Sequence, residues 1–167
     1  MSTADSLETS IEKGPHTAVH ALAGRWRGHT KVWFEPGKIG DESDYEASIK
    51  LILGGRFALL EYEGAMLGKP LQGIAIVGYH FDAQAYEMAW IDSAHMGSAI
   101  MFASSAAKPT GLSVLGRYGG HDGSPAWGWR TAFERIDENR LIVSAYNITP
   151  DGEESLAVET DYRRSGC

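Results

Sequence analysis

The chain has 167 residues, 43% of them apolar, with five Trp, seven Tyr and five Phe, enough for one domain with a full core and too apolar for a disordered chain. A formal charge of −7 with no basic run excludes the clustered Lys and Arg that nucleic-acid phosphates require. The only cysteine, Cys167, excludes an internal disulfide or a cysteine-based metal site; the start MSTADSLETSIEKGP has no basic and apolar leader, and no apolar run nears the ~20 residues of a membrane span, so a cytoplasmic protein without a membrane partner is expected.

Residues 1–14 are polar, lack apolar periodicity and end at Gly14-Pro15, which reads as a loose tail ahead of one domain over 15–164. Val19, Leu22 and Ala23 follow helical spacing, which predicts one short helix before Gly24 breaks it. Beyond Gly24, runs rich in β-branched and aromatic residues predict ten strands near 26–34, 44–53, 56–63, 71–80, 85–92, 97–104, 111–118, 126–136, 140–149 and 153–163. Gly54-Gly55, Gly68-Lys69-Pro70, Asp82-Ala83, Asp137-Glu138-Asn139 and Pro150-Asp151-Gly152 supply hairpin turns between them. The fold class this predicts is all-β, a single antiparallel up-and-down β-barrel of about ten strands with one short N-terminal helix, because a long meander exposes its edges unless it closes. A β-sandwich is the alternative, but its Greek-key connections need longer loops, and only residues 35–43 look like one.

Leu22-Ala23-Gly24-Arg25-Trp26, a short helix running into Gly-x-Trp, resembles the entry of calycin-type barrels. With LGGRFALLEYEG (53–64), WIDSAHMGSAIM (90–101), WGWRT (127–131) and YNITPDGEESLAVETDYRR (146–164), the chain resembles a bacterial lipocalin-like family of unknown function, distantly similar to nitrobindins and fatty-acid-binding proteins. The resemblance covers nearly all of His16 to Arg164. It implies a barrel with an internal cavity, filled by side chains or holding a small ligand, and a Trp26 ring that plugs the barrel's end.

Residues two apart along a strand share a face. Tyr86, Met88, Trp90 and Asp92 form one such row, as do Phe57, Leu59, Glu61 and Glu63; Trp127, Trp129, Thr131 and Phe133; and Leu156, Val158, Thr160 and Tyr162. Alternation alone leaves open which face points inward. Glu61, Asp92, Arg117, Arg130 and Glu159 are charges within strands, and an inward charge needs a partner to offset its desolvation. Arg130 is the leading candidate for a functional charge: paired with Asp92 or Glu61 it would hold a polar ligand head, whereas on the solvent face it would do nothing specific.

Asp92, Ser93 and His95 are the residue types of a serine hydrolase, but they fall at a turn, where Asp and Ser commonly bond nearby amides, and no G-x-S-x-G elbow accompanies them. His16 and His20 have i, i+4 spacing without a third metal ligand. Nitrobindins hold haem through a histidine near the C-terminal end of the barrel; here no histidine follows His121, so the resemblance implies no haem, and no cofactor or metal is expected.

The leading expectation is therefore a small apolar or amphipathic molecule bound in the barrel without catalysis. Met88, Trp90, Met101, Trp129 and Tyr146 would supply apolar contact, and Arg130, Asp92, Glu61, His95 and Glu159 polar contact. An enzyme using Asp92, His95 or Glu159 as acid or base is the second reading. A homodimer paired through exposed aromatic residues is the third.

Overall fold

The computed structural model describes residues 3–166; Cys167 and the start of the expected tail, residues 1 and 2, lie outside them. Two helices, α1 (Thr3–Lys13) and α2 (His16–His20), precede ten strands: β1 (Gly24–Glu35), β2 (Lys38–Ile52), β3 (Phe57–Met66), β4 (Lys69–His80), β5 (Ala85–Asp92), β6 (Met101–Ala106), β7 (Leu112–Tyr118), β8 (Trp127–Asp137), β9 (Arg140–Ile148) and β10 (Glu154–Arg164). Each strand pairs antiparallel with its sequence neighbours, and β1 pairs with β10 to close an up-and-down barrel. No helix among the described residues is long and apolar enough to cross a membrane.

Two expectations are corrected. The stretch from residue 3 to Lys13 is a helix rather than a loose tail: Leu7 and Ser10 bury one side of it, too sparse a pattern to signal a helix by periodicity. Residues 35–43 are not a long loop either. Pro36-Gly37 makes a tight turn, with Gly37 at φ 75°, and Lys38 to Ser43 lengthen the ladder with β1. Lys38 to Gly40 are exposed on both faces and no residue of the extension is fully buried, so it lacks the apolar alternation that marks a half-buried strand.

The two ends of the barrel are built differently. One end carries α1, α2 and the β2–β3, β4–β5, β6–β7 and β8–β9 hairpins; the other carries the remaining five connections. At the first end Val19, Leu22 and Trp26 form a buried plug, with Trp26 only 1% exposed. The Trp26 indole N–H donates to the Leu22 carbonyl at 3.0 Å. The Arg164 guanidinium lies 4.4 Å from the Trp26 ring centroid and donates to Ala23 O and Glu138 O, each at 2.9 Å. Arg135 donates to Ala21 O, and the Tyr86 hydroxyl to Pro15 O, so the plug is tied to the wall by polar as well as apolar contacts.

His16 is buried beneath the helices, against Tyr79 and Phe81, with Nδ1 2.9 Å from Ser10 Oγ. Burial, with the nearby His20 and Arg56 charges assisting, holds its imidazole below the ordinary value of 6.5. The folded state thus resists a proton that the unfolded chain accepts. Its contribution is fully present above the ordinary value and is lost as pH falls from there toward the depressed folded value. The protection factors of the α1 and α2 amides, exchange rates corrected for the pH dependence of intrinsic exchange, should fall between pH 7 and pH 5, and His16→Gln should flatten that response; an unchanged slope in the variant would exclude His16 as the cause.

Inside the barrel, alternation places Ala58, Leu60 and Tyr62 of β3, Ala75 and Val77 of β4, and Tyr86, Met88 and Trp90 of β5 inward. Three tyrosine rings lie flat on glycines of a neighbouring strand. A Cβ on Gly64 would stand 2.2 Å from the Tyr45 ring, on Gly73 2.1 Å from Tyr62, and on Gly28 2.8 Å from Tyr162. No side chain larger than hydrogen fits under these rings as they stand.

Candidate functional site

The inward rows leave a cavity of about 90 Å³, lined by Met88 and Trp90 of β5, Trp129, Thr131 and Phe133 of β8, Val143 and Ala145 of β9, Val158, Thr160 and Tyr162 of β10, and Tyr45, Leu60, Tyr62 and Ala75 from β2, β3 and β4. His95, from the β5–β6 connection at the end opposite the plug, completes the lining. The cavity is long on hydrocarbon and aromatic rings and short on unpaired polar atoms. Thr160 is hydrogen-bonded to Thr30 at 2.7 Å, and burial, aided by the charges of Asp92 and Asp41, pushes the Tyr45 hydroxyl up to about 12.

At the His95 end the side chains are held in one connected array. The Trp90 and Trp129 rings are parallel within 7°, their centroids 6.0 Å apart, and His95 sits 5.6 Å from the first and 6.2 Å from the second. Trp90 Nε1 donates to the Tyr62 hydroxyl at 2.8 Å, which in turn donates to Asp92 Oδ2 at 3.1 Å. Asp92 Oδ1 accepts from the backbone amides of Ala94 (2.9 Å) and His95 (2.6 Å), while Oδ2 also takes a short hydrogen bond from His95 Nδ1. Burial alone would raise the Asp92 carboxyl, but the bonds and charge of His95 and the two amides outweigh it and hold the group below the usual carboxylate range. Asp92 is therefore an ionised, fully used acceptor that fixes the ring of His95.

Of the residues expected at a site, Met88, Trp90, Trp129 and His95 line the cavity. Asp92 stands behind His95 rather than in the lining. Met101 is 2% exposed and packs beside Gly116, in the core but not in the cavity lining. The others point outward, which corrects their expected place in the pocket. Arg130 lies between Trp129 and Thr131, which take the interior, so strand alternation forces it out; its guanidinium pairs with both oxygens of Glu154 and lies 4.1 Å over the Tyr146 ring. Glu61 lies between inward Leu60 and Tyr62 and reaches Lys50 at 3.7 Å. Glu159 alternates with inward Val158 and Thr160. No Arg130 pair with Asp92 or Glu61 forms, because Arg130 and Glu61 lie outside on different strands while Asp92 is turned to the inner side.

Arg130→Ala should consequently leave small-molecule binding unchanged and cost under about 1 kcal/mol, as exposed ion pairs do; a lost binding signal in titration would put a functional group back on the outer face. Ser93 is also turned away: its hydroxyl accepts from Gln72 N at 3.0 Å, continuing the β4 ladder. Tyr45, Leu60, Tyr62, Ala75, Val143 and Ala145 are the lining residues that sequence reading missed. The signal for Tyr62 was present in Leu60-x-Tyr62, an apolar row flanked by Glu61 and Glu63. No group of three or more His, Cys, Asp or Glu is placed to hold a metal ion among the described residues.

The fold and site define a closed antiparallel barrel with a small apolar cavity near one end and a sealed plug at the other. The chain belongs to the family described as "Protein of unknown function (DUF1579)", whose model matches residues 12–164. Among solved structures it is similar to a designed protein described as "De novo design of a fluorescence-activating beta barrel", with 12% identity, a TM-score of 0.43, and coverage of 89% of this chain and 97% of that one. No curated protein matches the chain.

Proposed function

We propose that the protein is a lipocalin-like binding barrel that takes up one small, mostly apolar molecule without transforming it. The observation that carries this reading is the cavity itself, walled by Met88, Trp90, Trp129 and Phe133 and reaching the His95 end. Its volume of about 90 Å³ is well below the ~300 Å³ at which pockets for drug-sized ligands begin. The occupant is thus of the size of a single substituted ring, and a tetrapyrrole does not fit. Catalysis is the weaker reading, since Ser93 faces the β4 ladder and Glu159 faces outward, leaving the Asp92–His95 pair without a nucleophile beside it.

Toluene titrated into 15N-labelled protein should shift the indole N–H signals of Trp90 and Trp129. Ala145→Leu, which fills the cavity, should abolish the response while circular dichroism stays unchanged. No shift in the unaltered protein would sink the reading.

A second reading is favoured by the outer wall. Across β4, β5 and β6, Ile74 faces Ile91, and Ile76, Ala89 and Phe102 form the adjacent row, with Ile100 beside them. Phe102 is 73% and Ile100 56% exposed, with Ile74, Ile76 and Ile91 each 42% exposed, and contiguous bare apolar side chains of this kind mark interaction sites. A patch of this kind can form the core of a two-fold interface of ~800 Å² per partner, and a second copy of this chain is its proposed occupant. Light scattering should give a dimer that Phe102→Glu converts to monomer; a monomer at high concentration would refute the pairing.

A further inference from the structure

Within the cavity reading, on which this inference rests, the polar chemistry at the mouth is one-sided. Asp92, ionised, can only accept hydrogen bonds, so the nitrogen of His95 that faces it, Nδ1, carries the hydrogen. With the ring neutral, the form that can select a donor, its second nitrogen is a lone-pair acceptor; with the ring charged, that nitrogen donates instead. His95 Nε2 has no partner among the described residues, on a side chain that lines the cavity and is 24% exposed. The neighbouring donors are already committed: Trp90 Nε1 to Tyr62, and the Tyr62 hydroxyl to Asp92. The hydroxyls of Tyr45 and Thr131 rotate to give or to take a bond, so they do not select between ligands. Nε2 does.

The ring of His95 also sits beside the parallel pair Trp90 and Trp129, a surface that favours a flat aromatic body. We infer that the cavity selects a small planar aromatic molecule carrying one hydrogen-bond donor, a phenol or an aromatic N–H, and that His95 Nε2 accepts that hydrogen with Asp92 holding the ring in the accepting tautomer. An anionic head is disfavoured by the same geometry, since it would approach the Asp92 carboxylate directly behind the imidazole.

Phenol and toluene are near-isosteric and differ in the hydroxyl, so they separate this inference from the cavity reading. At pH 8, phenol should bind about tenfold or more tightly than toluene, the worth of one well-made hydrogen bond in a dry site. Phenol, and not toluene, should move the 15N resonance of His95 Nε2 in a long-range imidazole spectrum. In His95→Leu, phenol should fall to the affinity of toluene, and retained toluene binding reports that the barrel and cavity are intact. Equal affinity of phenol and toluene in the unaltered protein would overturn the donor requirement while leaving the cavity reading standing. Benzoate binding more tightly than phenol would also overturn it, by showing that His95 acts as a cation. Failure of both phenol and toluene to bind would overturn the cavity reading and this inference together.

Discussion

Trp26→Ala should lower the unfolding free energy by about 3–5 kcal/mol, the range for truncating a large buried aromatic ring. The ring is 1% exposed, hydrogen-bonded to Leu22 and covered by Arg164. Its loss leaves a cavity at the plug and frees the Arg164 stem from the surface it packs on, while β1 and β10 meet nearby at Trp26 and Arg164. Trp127, at the other end, is 38% exposed, and Trp127→Ala should cost less than half as much. Urea unfolding of the two variants side by side is the measurement. A Trp26 cost below about 1 kcal/mol would mean that the end refolds around the gap and that the plug is dispensable.

The second large effect belongs to Asp92. Asp92→Asn keeps the size of the side chain and removes its charge, and should destabilise by about 1–3 kcal/mol, the cost of losing hydrogen bonds to a buried charged acceptor. Two amide donors, the Tyr62 hydroxyl and His95 Nδ1 converge on the carboxylate, and an amide NH₂ cannot satisfy all four. The folded state holds this carboxyl below its usual range. Its contribution is therefore present above the unfolded carboxyl's pKa of about 3.9 and is lost as pH falls through the depressed folded value. Thermal unfolding as a function of pH should show a steeper acid loss in the unaltered protein than in Asp92→Asn. Parallel curves would mean that Asp92 is protonated or unpaired in the folded state.

Much of the barrel was legible because its wall is regular. Strand β5 was read at residues 85–92 and is found there, since Tyr86, Met88, Trp90 and Asp92 alternate cleanly with smaller or polar residues. The same alternation could not say which face was inner when both faces carry large groups. Arg130 was the leading candidate for a charge in the pocket, yet its strand neighbours Trp129 and Thr131 take the interior and it lies outside, where Glu154 and Tyr146 meet it. His95 and Asp92 were legible as a pair but not as a ring held against a cavity, because that depends on how the β5–β6 connection folds back over Trp90 and Trp129. The Leu60-x-Tyr62 row marked Tyr62 as an inward candidate, but the room for its ring comes from Gly73 on the next strand, a relation across the sheet that a local pattern does not carry.

The meander carries one more consequence. Because every strand reverses direction, the parity of a connection decides its end: those leaving odd-numbered strands gather around His95, and those leaving even-numbered strands gather around Trp26. The long ones, 93–100 after β5 and 119–126 after β7, both fall in the first set. Length and composition can therefore vary in that set, around the open side of the cavity, while the set at the other end stays fixed around Trp26. A barrel so wired can vary one end a turn at a time without disturbing the seal at the other.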